Sequence, residues 1–128
     1  MPKKMPKKIQ ALKFDGDKPR TDLVPISLIM GCARGLAHGA RKYMANNWLL
    51  GFSFNRPYGA LLRHLFAWWS GEDLDPDSGL PHLDHAICNL AFLKEYTDKK
   101  KRYKRFDNRP FKITDRELKK ELEDFKGI

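Results

Sequence analysis

A chain of 128 residues, 41% of them apolar, is long enough for one domain with one modest core. The formal net charge of +9 is concentrated towards the ends: residues 1–20 have seven basic and two acidic groups, and residues 94–112 have nine and three. The remainder is close to neutral. This distribution indicates basic tails on a neutral body and places a dedicated nucleic-acid-binding protein behind other functions.

The N-terminal part predicts an arm, a turning segment and a helix, in that order. Residues 1–12 contain two Pro-Lys-Lys units and predict a flexible basic arm. The segment 13–25 is rich in Gly, Pro and Asp, which favours an extended or turning conformation. From Ile26 to Tyr43 apolar residues recur every three or four positions, so an amphipathic helix is expected to begin just after Pro25.

Two further helices are expected after a loop at 46–55. The second helix runs from about Pro57 to Ser70, and Gly71 can end it in a left-handed conformation. Helical spacing favours core packing for Trp68 and Trp69. The third helix starts near His82 and runs towards residue 96, and the basic run 99–105 can continue it into solvent.

The last predicted element is a short charged helix from Thr114 to about Phe125, because residues 114–117 form a capping-box pattern. No stretch alternates strongly enough to predict a strand, and there are no repeats. The predicted fold is therefore all-α, a compact bundle of three to five helices with an extended basic N-terminal arm. We divide the chain into the arm at 1–12, a helical catalytic or nucleotide-binding domain at 13–98, and a basic segment with a short helix at 99–128.

The two cysteines and the hydropathy indicate where the protein works. Cys32 and Cys88 lie in helical patterns and lack C-x-x-C spacing, so we predict buried free thiols and a reducing compartment. The N-terminus has no apolar signal-peptide core, and no window approaches the run of about 18 apolar residues that a membrane span needs. We therefore expect a protein of the cytoplasm with no membrane partner; for a phage-encoded chain this is the host cytoplasm.

The second and third helices carry the candidate chemistry. On the third helix His82 and His85 share a face with Asn89, and His64 can face them from the antiparallel second helix. Acidic residues occupy the connecting loop. Neutral imidazole and ionised carboxylate are common ligands of divalent metals, so the combination predicts a metal site or an acid-base site, with an ordinary polar surface as the equal alternative. The candidate metal ligands are His64, Glu72, Asp75, His82 and His85; the candidate catalytic groups are Glu72, Asp75 and His85.

Cations, aromatic rings and amides near these helices suggest an anionic, base-containing ligand. Arginine binds phosphate in a bidentate manner and lysine offers a compact charge, while rings stack on bases and amides supply hydrogen bonds. The ordinary alternatives are surface charge and core packing, and Asp84 is either a ligand or a polar face residue. The candidate phosphate-binding residues are Lys18, Arg20, Lys42 and Arg63; the candidate base- or sugar-binding residues are Tyr43, Asn47, Trp48 and Asn89.

Three sequence blocks together resemble a known family. They are KFDGDKPRTDLVP, HGARKYMANNW and RHLFAWWSGEDLDPDSGLPHLDHAICNLAFL, in this order between residues 13 and 93. They are similar to the phage and bacterial family of the N-terminal domain of dATP/dGTP diphosphohydrolases, with members that look like MazZ-type nucleotide pyrophosphohydrolases and a link to the all-α MazG group. The resemblance implies hydrolysis of a deoxynucleoside triphosphate to monophosphate and pyrophosphate with a divalent metal.

The sequence departs from the MazG pattern at positions that would bind the metal. That group has an E-E-x-x-E motif on one helix and E-x-x-D on another, whereas residues 26–43 contain no glutamate. Glu72-x-x-Asp75 is a partial counterpart in a loop. Either the histidines have taken over metal binding, or the relation to MazG is distant.

The expected function is metal-dependent hydrolysis of a nucleoside triphosphate, with a purine deoxynucleotide as substrate. Magnesium or manganese is the expected metal, with zinc as another option. Three short helices offer little surface to enclose a nucleotide, so we also expect a homo-oligomer. The alternatives are a nucleotide-binding protein without catalysis and a small basic phage protein that binds nucleic acid non-specifically through its tails.

Overall fold

The computed structural model describes residues 9–110 and 114–127, and every regular element within these ranges is helical. Short 3₁₀ turns at Thr21–Leu23, Asn47–Leu50 and Lys104–Phe106 accompany the longer helices. The all-α bundle predicted from the sequence is confirmed. Its five α-helices are α1 (Ile26–Lys42), α2 (Asn55–Trp69), α3 (His82–Asp98), α4 (Lys100–Tyr103) and α5 (Asp115–Lys126).

Helix α3 is the central element, because both α1 and α2 pack on it. Gly31 and Gly35 of α1 approach residues 84 and 88 in the same order, so α1 runs parallel to α3. The loop between α2 and α3 brings α2 back antiparallel, with His64 beside His82. The histidines predicted to converge therefore lie at the start of α3 and on the turn of α2 beside it.

The contact between α1 and α3 is close because α1 presents glycines to α3. A Cβ atom on Gly31 would lie 2.6 Å from Asp84 Oδ1, and one on Gly35 would lie 2.2 Å from Cys88 Sγ. Arg34, between these glycines, donates from Nε and Nη2 to the two Asp84 oxygens at 2.8 and 3.3 Å. Asp84 is thus a buried structural partner of α1.

The core lies at the opposite end of α3 and is aromatic. Phe54, Tyr96 and Tyr103 are buried, and the partly buried residues Trp48, Phe52, Phe92, Leu93 and Phe106 pack against them. The hydroxyls of Tyr96 and Tyr103 donate to the carbonyls of Trp48 and Leu49. Each buried phenol therefore has a hydrogen-bond partner, which removes the main free-energy cost of burying its oxygen.

The basic run after α3 does not continue that helix into solvent, so this prediction was wrong. Lys99 leaves the helical conformation (φ −103°, ψ 56°), and α4 starts anew at Lys100. Tyr103 in the middle of the run is 1% exposed and packs against Tyr96 with ring centroids 4.6 Å apart. The buried Tyr103 ring thus folds the segment back against the end of α3.

The tryptophans at the end of α2 are not core residues, which corrects a second prediction. Trp69 is 82% exposed and Trp68 38%. On α1, Ile26 and Ile29 are also largely exposed. Helical spacing identifies an apolar face, but whether that face is covered depends on a neighbouring element, and none of the described residues covers this one.

Three local predictions are confirmed. Gly71 (φ +99°) ends α2, and the amides of Gly71 and Glu72 donate to the carbonyls of residues 68 and 67 at 2.9 and 3.1 Å. Thr114 and Glu117 form the capping box of α5. Cys32 and Cys88 are free; Cys88 is buried, which raises the pKa of its thiol to about 12, and Cys32 is half-buried.

Of the predicted arm, residues 1–8 lie outside the described residues, and residues 9–12 are exposed and have no regular structure. None of the described helices has the length and apolar character required to cross a membrane.

The packing of α1 predicts opposite effects of one substitution at two glycines a turn apart. Gly35→Ala should lower the free energy of unfolding by roughly 1–3 kcal/mol, since its methyl group would collide with Cys88. Gly39→Ala should raise it by up to about 1 kcal/mol, because nothing lies within 4 Å of the new Cβ and alanine favours the helix. Urea unfolding followed by circular dichroism measures both; equal shifts would contradict the close α1–α3 contact.

Candidate functional site

A cleft of about 1220 Å³ lies over α3, between α1 and α2. Its volume is sufficient for a ligand of nucleotide size. One end is polar and contains His64, His85 and Asp75; the other end contains Trp48 and Phe92. Residues 85 and 92 are about 10 Å apart along α3, at 1.5 Å per residue, so the polar and aromatic ends occupy different parts of one cleft.

All four histidines of the chain form a continuous row at the polar end. The ring centroids of His38 and His85 are 5.7 Å apart, those of His85 and His64 are 4.6 Å apart and stacked, and those of His64 and His82 are 5.2 Å apart. The row joins α1, α3 and α2. Three of its members were expected from the hairpin; His38 on α1 was not.

His64, Asp75 and His82 can hold a metal ion. One ligand atom from each of these residues lies within 4.8 Å of the others. His82 Nε2 is 2.7 Å from Glu72 Oε1, so in the neutral ring the proton lies on Nε2 and the lone pair is on Nδ1. That Nδ1 faces His64 Nδ1 at 2.9 Å. Two imidazole nitrogens and a carboxylate oxygen gathered within this distance fit the ligand chemistry of a divalent cation.

The loop between α2 and α3 holds Asp75 in place through its backbone. The amide of Asp75 donates to the Leu80 carbonyl at 2.8 Å, and the Gly79 amide donates back to the Asp75 carbonyl at 2.7 Å. Gly79 has φ +75°, a conformation that glycine adopts without strain. The Asp77 amide donates to Asp75 Oδ1 at 3.0 Å, which fixes one carboxylate oxygen. The acidic loop is therefore an ordered turn that holds the Asp75 carboxylate beside His85, while Glu72 at its start contacts His82.

His85 has two polar neighbours in the same loop. Its Nε2 atom is 2.7 Å from Ser78 Oγ and 3.6 Å from Asp75 Oδ2. Partial burial lowers the pKa of His85 and of His64, which favours neutral imidazoles. Burial alone would raise the pKa of Asp75, but the Asp77 amide and the imidazoles outweigh it, so its pKa is lowered. Neutral imidazole and ionised carboxylate are the forms that bind metals.

The structure divides the predicted site residues into three groups. Glu72 and His82 are not among the residues that line the cleft, and Glu72 orients His82 through a contact of 2.7 Å. Lys18 and Arg20 do not line the cleft either, and Arg20 pairs with Asp22 at 2.8 Å. The remaining predicted residues line the cleft: His64, Asp75 and His85 with the cations Lys42 and Arg63, and Tyr43, Asn47, Trp48 and Asn89.

The aromatic end contains groups that sequence reasoning missed. Phe92 stacks on Trp48 with centroids 4.9 Å apart, and Arg56 lies over the Phe52 ring at 5.6 Å. Asn89 Nδ2 donates to the His85 carbonyl at 2.8 Å, so its side-chain oxygen keeps its acceptor capacity. Helical spacing could have identified two of the missed residues, because residues four or seven positions apart share a helix face. His38 is four residues before Lys42, and Phe92 is seven residues after His85.

Comparison with known proteins identifies the family. Residues 8–109 match the family model described as dATP/dGTP diphosphohydrolase, N-terminal. The chain belongs to this family. It is also similar to a protein of Salmonella phage PMBT28 named dATP/dGTP diphosphohydrolase, with 34% identity over 82 residues. The match covers 64% of this chain and 28% of the phage protein, so the chain spans under a third of that relative's length. No solved structure matches the chain.

The metal-binding geometry predicts a difference between two acidic residues of one loop. Asp75→Asn should weaken binding of zinc or manganese by about tenfold or more, because it removes a charged ligand from the group of three. Asp77→Asn is the matched control, since only the backbone amide of Asp77 contacts Asp75. Isothermal titration of the metal alone into each purified variant measures this, and equal affinities would exclude Asp75 as a ligand.

Proposed function

We propose that this chain takes part in metal-dependent hydrolysis of a deoxynucleoside triphosphate, with a purine nucleotide as substrate, to monophosphate and pyrophosphate. The observation that carries the proposal is the two-ended cleft, with metal-ligand groups at one end, stacked aromatic rings at the other, and the cations Lys42, Arg56 and Arg63 in its lining. A nucleotide has the same two ends. Family membership and the name of the phage relative also support it.

The polar end is proposed to bind the phosphates. Lys42 on α1 and Arg63 on α2 face the cleft from opposite walls, so together they can hold a polyphosphate between them. His64, Asp75 and His82 would hold the divalent ion, with Glu72 orienting His82. Magnesium or manganese is proposed first; two imidazoles among three ligands also suit zinc. Such an ion, when bound, supplies charge neutralisation for the phosphates and makes water a stronger nucleophile.

His85 is the proposed general base. Burial favours its neutral form, and it lies within the cleft beside Asp75, whose carboxylate would stabilise the positive charge formed when His85 accepts a proton from water. Ser78 fixes the position of the ring. In the reaction, the water oxygen bonds to the α-phosphorus and the bond from that phosphorus to the bridging oxygen breaks, so pyrophosphate leaves.

The aromatic end is proposed to bind the base and sugar. A base can stack at the Trp48 side of the cleft, where the indole and Phe92 form a stacked pair in the lining. Tyr43 offers a further ring, and Asn47 and Asn89 offer amide groups for hydrogen bonds to the base or the sugar.

A second copy of the chain is the proposed cover for the open surfaces of the bundle. Phe66 and Trp69 of α2 and Ile26 and Ile29 of α1 expose apolar area that a homo-oligomer would bury. Sedimentation equilibrium tests this part of the proposal, and a monomer at micromolar concentration would contradict it.

The decisive experiment incubates the purified chain with each of the four deoxynucleoside triphosphates and magnesium or manganese. We expect monophosphate and pyrophosphate, detected by ion-exchange chromatography, with purine substrates preferred and activity lost in EDTA. Thermal stabilisation by a nucleotide without product would favour the alternative of a binding protein without catalysis. The absence of monophosphate from every substrate would contradict the enzymatic proposal.

A pair of arginine variants tests the phosphate end. Arg63→Gln should raise KM by roughly tenfold or more, because a charge-assisted hydrogen bond contributes about 1.5–3 kcal/mol and 1.4 kcal/mol corresponds to tenfold. Arg20→Gln makes the same change outside the cleft and should leave KM within about twofold. Steady-state kinetics with the preferred substrate measures both, and equal KM values would remove Arg63 from the phosphate site.

A further inference from the structure

The segment 99–109, which we call the basic turn, is an ordered cationic surface. It contains α4, the 3₁₀ turn Lys104–Phe106, seven basic residues and one acidic residue. Tyr103 fixes it to the core and donates to the Leu49 carbonyl at 2.7 Å. The carbonyl of Phe106 accepts from the Phe54 amide at 2.9 Å. The cations of the basic turn are therefore held close to one another by tertiary structure.

Nearby acids do not neutralise the basic turn. Three acidic residues lie between positions 94 and 109, and each pairs with a cation. The pairs are Glu95 with Lys99, Asp98 with Lys94 and Asp107 with Arg109. Five other cations have no ion pair with any residue in the described part of the chain. They are Lys100, Lys101, Arg102, Lys104 and Arg105. Five like charges within six residues repel one another, and an anion would relieve that repulsion.

Several of these cations are positioned in advance. The guanidinium of Arg102 lies 5.5 Å from the centre of the Tyr103 ring, and that of Arg105 lies 4.6 Å from the centre of the Phe106 ring. Lys100, Lys101 and Lys104, with Arg109, line a cavity of about 290 Å³. Two of these arginines thus lie over aromatic rings, and the lysines line a cavity wall. This arrangement suits a ligand with several phosphates spaced along its length.

The basic turn is separate from the cleft. The histidines lie at the start of α3, and the basic turn follows its end; the 17 residues of α3 span about 25 Å. A nucleotide in the cleft and an anion on the basic turn can therefore be bound at the same time.

We propose that the basic turn binds the phosphate backbone of a nucleic acid. Unpaired, pre-positioned lysine and arginine side chains are the groups that contact this backbone, and they act without reading the base sequence. A membrane surface fits less well: from residue 91 to residue 110 no large apolar side chain is exposed that could insert among lipids. This activity goes beyond the proposed hydrolysis and does not depend on it.

The test is fluorescence anisotropy of a labelled DNA duplex with the full chain over a series of KCl concentrations. Each phosphate contact contributes a slope of about −0.9 to log K against log salt. The test variant replaces Lys100, Lys101, Lys104 and Arg105 by Gln. We expect this variant to lose at least about tenfold in affinity at low salt and to flatten the slope by about 3 to 4.

A charge-matched control separates the basic turn from general basicity. It replaces Arg116, Lys119, Lys120 and Lys126 of α5 by Gln, which removes the same charge from an exposed helix elsewhere. It should keep the affinity within about twofold. Circular dichroism checks that both variants retain their helices.

Three results would overturn the proposal. The first is an equal loss in both variants, and the second is an absence of salt-dependent binding by the unchanged protein. The third is displacement of the DNA by pyrophosphate at an equal phosphate concentration, which would identify a small anion as the ligand. Binding to phosphatidylserine vesicles without binding to DNA would likewise assign the surface to membranes.

Discussion

The close contact between α1 and α3 is the constraint on which the rest of the structure depends. It requires glycine at 31 and 35, and it is fixed by the ion pair of Arg34 with the buried Asp84. Asp84 lies between His82 and His85 on α3. The Arg34–Asp84 ion pair therefore also sets the rotation of α3 about its axis. This rotation directs both histidines away from the glycines of α1 and towards the second helix and the loop.

Helix α3 separates the chemistry of the molecule along its length. Its first turns carry imidazoles and receive the carboxylate of the acidic loop. Its middle contributes Asn89 and Phe92 to the aromatic part of the cleft. Its last turns and the segment that follows carry cations around a buried tyrosine. The cations of the basic turn therefore lie beyond the end of α3 opposite to the metal-ligand groups, so anions attracted by the basic turn need not compete for the cleft.

The openness of the bundle has a simple cause. Both α1 and α2 pack against α3, and neither they nor the described remainder form a second layer over the outer apolar faces. Helices normally bury such faces against another layer. The exposed Trp69 and Ile26 are thus a property of a three-helix arrangement with one central helix. The cleft between the flanking helices has the same origin, because α1 and α2 each pack mainly on α3 and leave a groove above it.

The sequence by itself determined what local interactions decide: the helices α1 to α3, the glycine that ends α2, the capping box of α5 and the turn rich in carboxylates. It also suggested that His64 can face His82, on the expectation that the two consecutive helices form an antiparallel hairpin. Only the tertiary structure decided that His38 joins the histidine row, that Tyr103 is buried and that Arg20 does not line the cleft. Periodicity fixes which residues share a helix face, whereas the covering of that face and its distance from other segments depend on long-range packing.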